Sequence, residues 1–375
     1  MKKATSVTLY IILYIILPAS IFSCEGNQTG SSSLVGDTLL LRHAKNLTIV
    51  TFSDHTEVTL RNPWDTTQVL GEYCLIHNPK PHADNPRGTL VNIPIHNAAV
   101  FSSVHCALFH ELGADSAVGG ICDLQFFNLP EYKDGVAEGR IANLGNSMQP
   151  NIEQIMNLNP DAILPSPFEN SGGLGRVERL GFPIIWCADY MENTPLGRAE
   201  WIRFYGRLVS RASEADSIFE NVESRYLELC NKVSTVKTKP RLLPEMPWSG
   251  QWTLPGSGSS STRLYADAGA NYLFAYLKGN GGIPLSTEKV VDKAVDADLW
   301  LIKHHGPLNR QQMIADTPLL QNIKAPIWWC DTSESLLYEE TPFHPERLLE
   351  NLIAILHPEL KIEAKNKYFK PLTDE

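Results

Sequence analysis

Few side chains in this 375-residue sequence are spaced for chemistry on their own. His304 and His305 are adjacent in KHHG, and imidazole is a common ligand for transition metals and haem iron. Neighbours on a strand face opposite sides, so both rings reach one ion only if the turn rotates them. His105 and His110 lie five apart, roughly 140° around a helix at about 100° per residue, and do not share a face. A bare-metal centre of clustered His and carboxylates therefore has little support; one His as an axial haem ligand stays open. For catalysis the sequence holds no GxSxG elbow, HExxH pair or GxxxxGKS/T loop. The glycine-rich GSGSSST (256–262) opens a helix and could offer backbone N–H groups to an anion, but it lacks the lysine of a nucleotide loop. It reads as a binding-site turn or a hinge. The expectation is a binding protein with no intrinsic cofactor, not an enzyme; an unused scaffold is the weaker alternative.

The elements that must position such residues are written twice. NIEQIMNLNPDAIL (151–164) has a counterpart in LSTEKVVDKAVDADLWLI (285–302). In each, a Glu (Glu153, Glu288) opens a short helical pattern that ends at an Asp (Asp161, Asp298) leading into an apolar strand. Two copies of one helix-to-strand unit predict two similar α/β lobes. Strand-like and helix-like segments alternate around both copies, which predicts parallel, doubly wound sheets. Between the lobes, residues 196–236 place Trp201, Phe204, Leu208, Ala212, Ala215, Phe219, Val222, Tyr226, Leu229 and Val233 at steps of three and four. This is an amphipathic connector helix, possible breaks lying at Ser210 and Ser213, the latter with EAD after it as an N-cap sequence. From Ser213 to Lys237 it would reach roughly 35 Å at ~1.5 Å per residue. A coiled-coil dimer fits less well, because the pattern is short and lacks e/g charge pairs. Ahead of the lobes, LTIVTF, EVTL and QVLGEYCLI alternate as strands and predict a β extension over 47–88. The lobes are placed at 89–195 and 238–375, with the connector at 196–237.

Paired lobes put a cleft between them, lined by loops at the carboxyl ends of the strands. In the first lobe these loops offer Ser102, Ser103, His105, Asp123, Ser166, Phe168 and Tyr190. In the second they offer Trp248, Trp252, Arg263, Lys303, His304, His305 and Asp331, and Trp64 could reach over from the β extension. The aromatic residues suit a flat conjugated ligand or macrocycle. Arg263 and Lys303 suit ligand carboxylates or phosphates. For each position, core packing or plain surface exposure is an equal alternative.

Hydrophobic content of 43% with 20% charged residues describes a folding globular chain. A net charge of −10 argues against nucleic acid, since no basic stripe meets phosphates. Lys2 and Lys3 precede an apolar run of about 15 residues ending in IFSC, a secretory signal (1–23) rather than a membrane span, which needs ~20. Cys24 after Ser23 resembles a bacterial lipoprotein processing site, and the polar stretch behind it begins a flexible tether (24–46). Export leaves Cys74, Cys106, Cys122, Cys187, Cys230 and Cys330 in an oxidising compartment. Their spacing supports no CxxC site; they read as small core residues, with a disulfide between some pair left open.

HELGADSAVGGICD, the 151–164 unit, GRLVSRASEADSIFENV, AGANYLF with the 285–302 unit, and FHPERLLENLIAILHPE stand in that order over residues 95–358. Together they resemble the periplasmic solute-binding proteins of ABC importers for iron–siderophore complexes, haem and cobalamin. The resemblance implies two Rossmann-like lobes on one long helix that bend little. It also implies partnership with a permease and ATPase, docking through Glu153 and Glu288, and a bound iron or cobalt complex. A ferric siderophore leads, with cobalamin or haem as alternatives. The implied protein is a monomer, lipid-anchored at a bacterial membrane and facing the periplasm. The β extension and LQFFNLPEYKDGVAEGR (124–140) depart from the family pattern and are placed to reshape the cleft.

Overall fold

The computed structural model describes residues 36–77, 87–168 and 173–373. The expected signal, the lipidation site Cys24 and the first part of the tether lie outside the described residues. The remainder, Gly36 to Asn46, is not a free tether. A segment of exposed backbone would bind water; here successive amides bind two carboxylates instead. Arg42, His43 and Ala44 donate to Glu200 at 3.0, 2.7 and 2.8 Å, and Lys45 and Asn46 donate to Glu192.

The alternating patterns that follow form a five-stranded sheet in chain order: β1 (Asp37–Thr38), β2 (Leu47–Thr51), β3 (His55–Arg61), β4 (Val69–Ile76) and β5 (Thr89–Asn92). Its first four strands are antiparallel and β5 joins β4 in parallel. Ile49, Val58, Leu60 and Tyr73 carry the buried face, as period-two alternation requires.

The first lobe contains β6 (Ala98–Val100), α1 (Ser103–Glu111), β7 (Val118–Ile121), α2 (Pro130–Ala137), β8 (Ala142–Asn143), the small hairpin β9 (Gly145–Asn146) and β10 (Gln149–Pro150), α3 (Ile152–Leu158) and β11 (Ala162–Leu164). Four strands make a parallel sheet in the order β11-β6-β7-β8. The connector is three helices: α4 (Pro195–Glu200), α5 (Ile202–Leu208) and α6 (Ala212–Val233). The chain turns at Ser210, whose φ of 54° is left-handed and cannot continue a helix. Ser213 does not cap α6; the helix begins at Ala212 behind Arg211, without a side-chain cap. Its 22 residues span about 33 Å and bury Ala215, Phe219, Val222, Tyr226, Leu229 and Val233 on one stripe.

The second lobe contains β12 (Arg241–Pro244), β13 (Gln251–Pro255), α7 (Ser260–Asp267), β14 (Asn271–Tyr272), β15 (Gly282–Ser286), α8 (Thr287–Ala294), β16 (Leu299–His304), α9 (Arg310–Asp316), β17 (Ile327–Asp331), α10 (Leu337–Glu340), α11 (Pro345–Leu356) and β18 (Lys370–Pro371). The sheet order is β14-β12-β16-β17-β18, parallel except for β18, while β13 and β15 form a separate antiparallel ribbon. The chain is thus an α/β protein of two lobes.

The duplicated motif has a duplicated physical role. Asp161 donates its amide to Asn97 O at 2.8 Å and accepts the Asn97 amide on Oδ2 at 3.0 Å. Asp298 repeats this with Arg241, its amide 2.8 Å from Arg241 O and its Oδ2 2.8 Å from the Arg241 amide. Each Asp pins the start of the neighbouring parallel strand. One core runs through both lobes and the connector, with α1 of the first lobe packed on α10 of the second. The six cysteines are free; five are buried and Cys230 is half-buried, so the open disulfide is absent among the described residues.

Candidate ligand-binding cleft

Parallel strands end at one edge of each sheet, and the loops leaving those edges build the site. In the first lobe, β6 is followed by Phe101 and Ser102, whose hydroxyl caps α1 by accepting from the Val104 amide at 3.2 Å. Two residues beyond β7, Asp123 adopts a left-handed conformation (φ 55°). There its carboxylate takes the Ser147 hydroxyl and, at 3.3 Å, the Ser147 amide. β11 is followed by Pro165, Ser166 and Phe168. These residues, with Ser103, Phe126 and Met148, line a cavity of about 490 Å³.

A second cavity, of about 710 Å³, lies against the edge of the other sheet. Glu245 follows β12, Lys303 lies near the end of β16, and Trp248, Ser259, Ser260 and Tyr338 complete that wall. Tyr190 and Arg198 reach it from before and within α4. The Tyr190 hydroxyl donates to Pro167 O, so this side chain stands between the two cavities. Trp248 is 80% exposed and also flanks a third cavity holding His304. At the rim His305 meets Phe126 of the opposite lobe edge-on, ring centroids 6.4 Å apart. Asp331 is occupied in holding the turn, accepting from Gly306 N and Ser333 N at 2.9 Å each. His304 bonds Gly306 O through Nδ1 at 2.9 Å.

Four of the expected residues stand outside these three cavities. Trp252 is fully buried: alternation along β13 turns it inward with Leu254, where it stacks on Trp300 and donates to Pro244 O. His105 lies on the inner face of α1, 2% exposed, with Nε2 at 2.7 Å from Asp189. Arg263 projects from the side of α7 that meets the connector, fixed by Asp267, which also binds Tyr226 of α6. Trp64 sits in a turn organised by Asn62 and lines none of these three cavities. Glu153 and Glu288 are exposed in the first turns of α3 and α8, and neither enters an ion pair among the described residues.

The charged groups behind the cleft are paired. Asp189, fully buried, accepts from His105, from Arg198 Nε at 2.9 Å and from the Tyr205 hydroxyl at 3.0 Å. Burial opposes its ionisation, but His105 and Arg198 hold the carboxyl well below the usual range. For His105, burial works against the charge; the Cys187 sulfur and the Asp189 carboxylate outweigh it and raise the pKa to about 10. Burial likewise works against the Lys303 ammonium, and Glu245 at 2.5 Å outweighs it and keeps the amine protonated. Among the described residues no group of three or more His, Cys, Asp or Glu side chains is placed to hold a metal ion. The glycine-rich turn spends its amides internally, on carbonyls of Leu277, Gly279 and Gly281.

Two lobes with cavities at the carboxyl edges of their sheets, walled by aromatic and hydroxyl side chains, have the build of a solute-binding protein. A match to the family described as periplasmic binding protein spans residues 121–326, and the chain belongs to that family. As a member of that family it is a binding protein and not an enzyme. An uncharacterized lipoprotein of Methanocaldococcus jannaschii is 24% identical over 362 residues, covering 88% of this chain and 85% of the relative. A periplasmic heme binding protein from Pseudomonas aeruginosa superposes with a TM-score of 0.56 at 17% identity, over 74% of this chain and 95% of its own. CeuE of Helicobacter pylori, in a Ni-His complex, gives 0.58 at 16% identity, over 81% and 89%. These two structures share the fold.

Sequence reasoning missed Phe126, Ser147, Met148, Glu245 and Tyr338. Phe126 follows from the strand-end rule at β7, and Ser147 and Met148 follow once β8 and its hairpin are recognised; Tyr338, on a four-residue helix, carries no such signal.

Proposed function

We propose that this chain is the substrate-binding lipoprotein of an ABC importer. It captures a metal–organic complex in the interlobe cleft and delivers it to a permease and its ATPase. The observation that carries this reading is the pair of adjoining cavities at the carboxyl edges of the two sheets, with Phe126, Phe168 and Trp248 exposed around them. Exposed aromatic faces beside hydroxyl donors suit the mixed apolar and polar surface of a chelate. A ferric siderophore is the first ligand to test, with cobalamin and haem next. Export, anchoring through Cys24 and a periplasmic location are supported by the charged, apolar leader and by the relative named as a lipoprotein. A monomer is supported by α6, whose apolar stripe is consumed inside the chain.

The test is titration of protein lacking residues 1–24 with cobalamin, haemin and several ferric siderophores, read by tryptophan fluorescence. The expected result is saturable quenching at micromolar concentration or below by one class of chelate. Silence with all of them, confirmed by calorimetry, would remove the receptor reading in favour of a scaffold.

A further inference from the structure

We infer that the cleft takes a chelate without net negative charge, a neutral or cationic complex, and that Asp123 is the residue that sets this preference. The inference rests on the receptor reading above. In the first-lobe cavity Asp123 is the one charged side chain among the described lining residues. Around it stand the hydroxyls of Ser102, Ser103 and Ser166 and the rings of Phe126 and Phe168. That wall offers hydrogen bonds and apolar contact to a neutral ligand and attraction to a positive one. To an anion it offers only hydroxyl donors, beside a carboxylate that repels it.

The second cavity holds two cations, and each already has its carboxylate. Lys303 Nζ is 2.5 Å from Glu245, which lines the same cavity. Arg198 Nε is 2.9 Å from Asp189, which His105 backs from the protein side at 2.7 Å. Three carboxylates thus face two cations and one buried imidazole. Their formal charge is zero with the imidazole protonated and minus one without. The third cavity adds His304 and Asp316. No state of these groups gives the cleft the excess positive charge that a polyanion needs when it sheds water, and unmatched buried charge is strongly unfavourable. The chain's net charge of −10 opposes approach of such a ligand as well.

The test compares iron and cobalt chelates of different charge on the full-length protein in mild detergent: ferrioxamine B and aquocobinamide (cationic), ferrichrome (neutral) and ferric enterobactin (trianionic). We expect at least one cationic or neutral chelate to bind at micromolar concentration or below, and ferric enterobactin to bind at least about a hundredfold more weakly. Asp123→Asn tests the residue itself, since Asn accepts the left-handed backbone there and keeps the fold. It should weaken the cationic chelate about tenfold, flatten its salt dependence and leave ferrichrome unchanged. Equal or tighter binding of ferric enterobactin would overturn the charge inference and leave the receptor reading standing. Unaltered affinity of the cationic chelate for Asp123→Asn would overturn the assignment of Asp123. Binding of none of the four would remove this inference, and the titration with haemin and cobalamin described above would then decide the receptor reading.

Discussion

Asp189 illustrates how a single carboxylate can be both costly and indispensable. It is wholly buried, and its ionised form persists because His105, Arg198 and Tyr205 all point donors at it. Replacing it with Asn leaves a buried imidazole and a partly buried guanidinium short of their partner, a loss of about 3–5 kcal/mol for pairs of this kind. Thermal unfolding should show it as a large fall in Tm. The pH dependence gives a second signature. A raised histidine pKa adds stability that is complete below the ordinary value near 6.5 and is lost as pH rises through about 10. The lowered Asp189 pKa adds stability that is present above the ordinary carboxylate value and lost only in strong acid. The native protein should therefore weaken between pH 7 and 10. Asp189→Asn should make that limb shallower, because His105 loses one of the two groups that raise its pKa. A residual slope is expected from His344, raised to about 9 by Glu111 and Glu346 against the opposing effect of burial. An alkaline limb unchanged in Asp189→Asn would mean that the His105 imidazole is neutral.

At the scale of elements, the N-terminal segment is held by acceptors as well as by packing, with Ala44 in the core and Leu39 and Leu41 against it. Glu200, fully buried in α4, takes three successive backbone amides from 42–44. Glu200→Ala should leave those amides without an acceptor, at about 1–3 kcal/mol for each that stays buried. Faster hydrogen exchange confined to residues 42–44 would show it, and unchanged protection would place the holding force elsewhere. In α6, Phe219→Ala should cost about 3–5 kcal/mol, since its side chain is fully buried against the Arg203 guanidinium. Denaturant unfolding measures this directly. These elements also divide what was legible from what was not. The stripe from Ala215 to Val233 and the paired Glu and Asp units were readable because helical period and repetition are local properties. The Gln251–Pro255 alternation held the answer for Trp252, which shares a face with Leu254; its aromatic type was given more weight than its register. His105 was misplaced because its partner is 84 positions away and nothing near either residue marks the pairing. The tether was misread past Gly36 because backbone amides, unlike side chains, leave no trace in residue type.

For the whole molecule, the lobes are joined by more than the connector. Asn128, from the 124–140 insertion, donates to the carbonyls of Thr332 and Ser335 at 3.0 and 2.9 Å, and its amide reaches Glu339 at 2.8 Å. Glu111 of α1 faces His344 at 3.5 Å, and Phe343 packs on both His105 and Tyr205. Hinge closure would have to break these contacts and open a continuous core, so ligand binding should move the lobes little. Small-angle scattering of free and loaded protein should give the same radius of gyration within error; a clear contraction would refute a fixed frame. A fixed frame bears on the proposed docking by Glu153 and Glu288. If the lobes do not close, the two carboxylates keep one spacing in both states, and the permease meets the same pair of charges on free and loaded protein. Free protein should then compete for the permease within a few-fold of loaded protein. Glu153→Lys with Glu288→Lys should weaken that association at least tenfold and impair uptake, with chelate affinity unchanged, because both side chains lie outside the three cavities. Either single reversal should have an intermediate effect, as a two-point contact requires. Uptake unaffected by the double reversal would remove these carboxylates from the docking surface, while full loss from one reversal alone would reduce the contact to a single lobe.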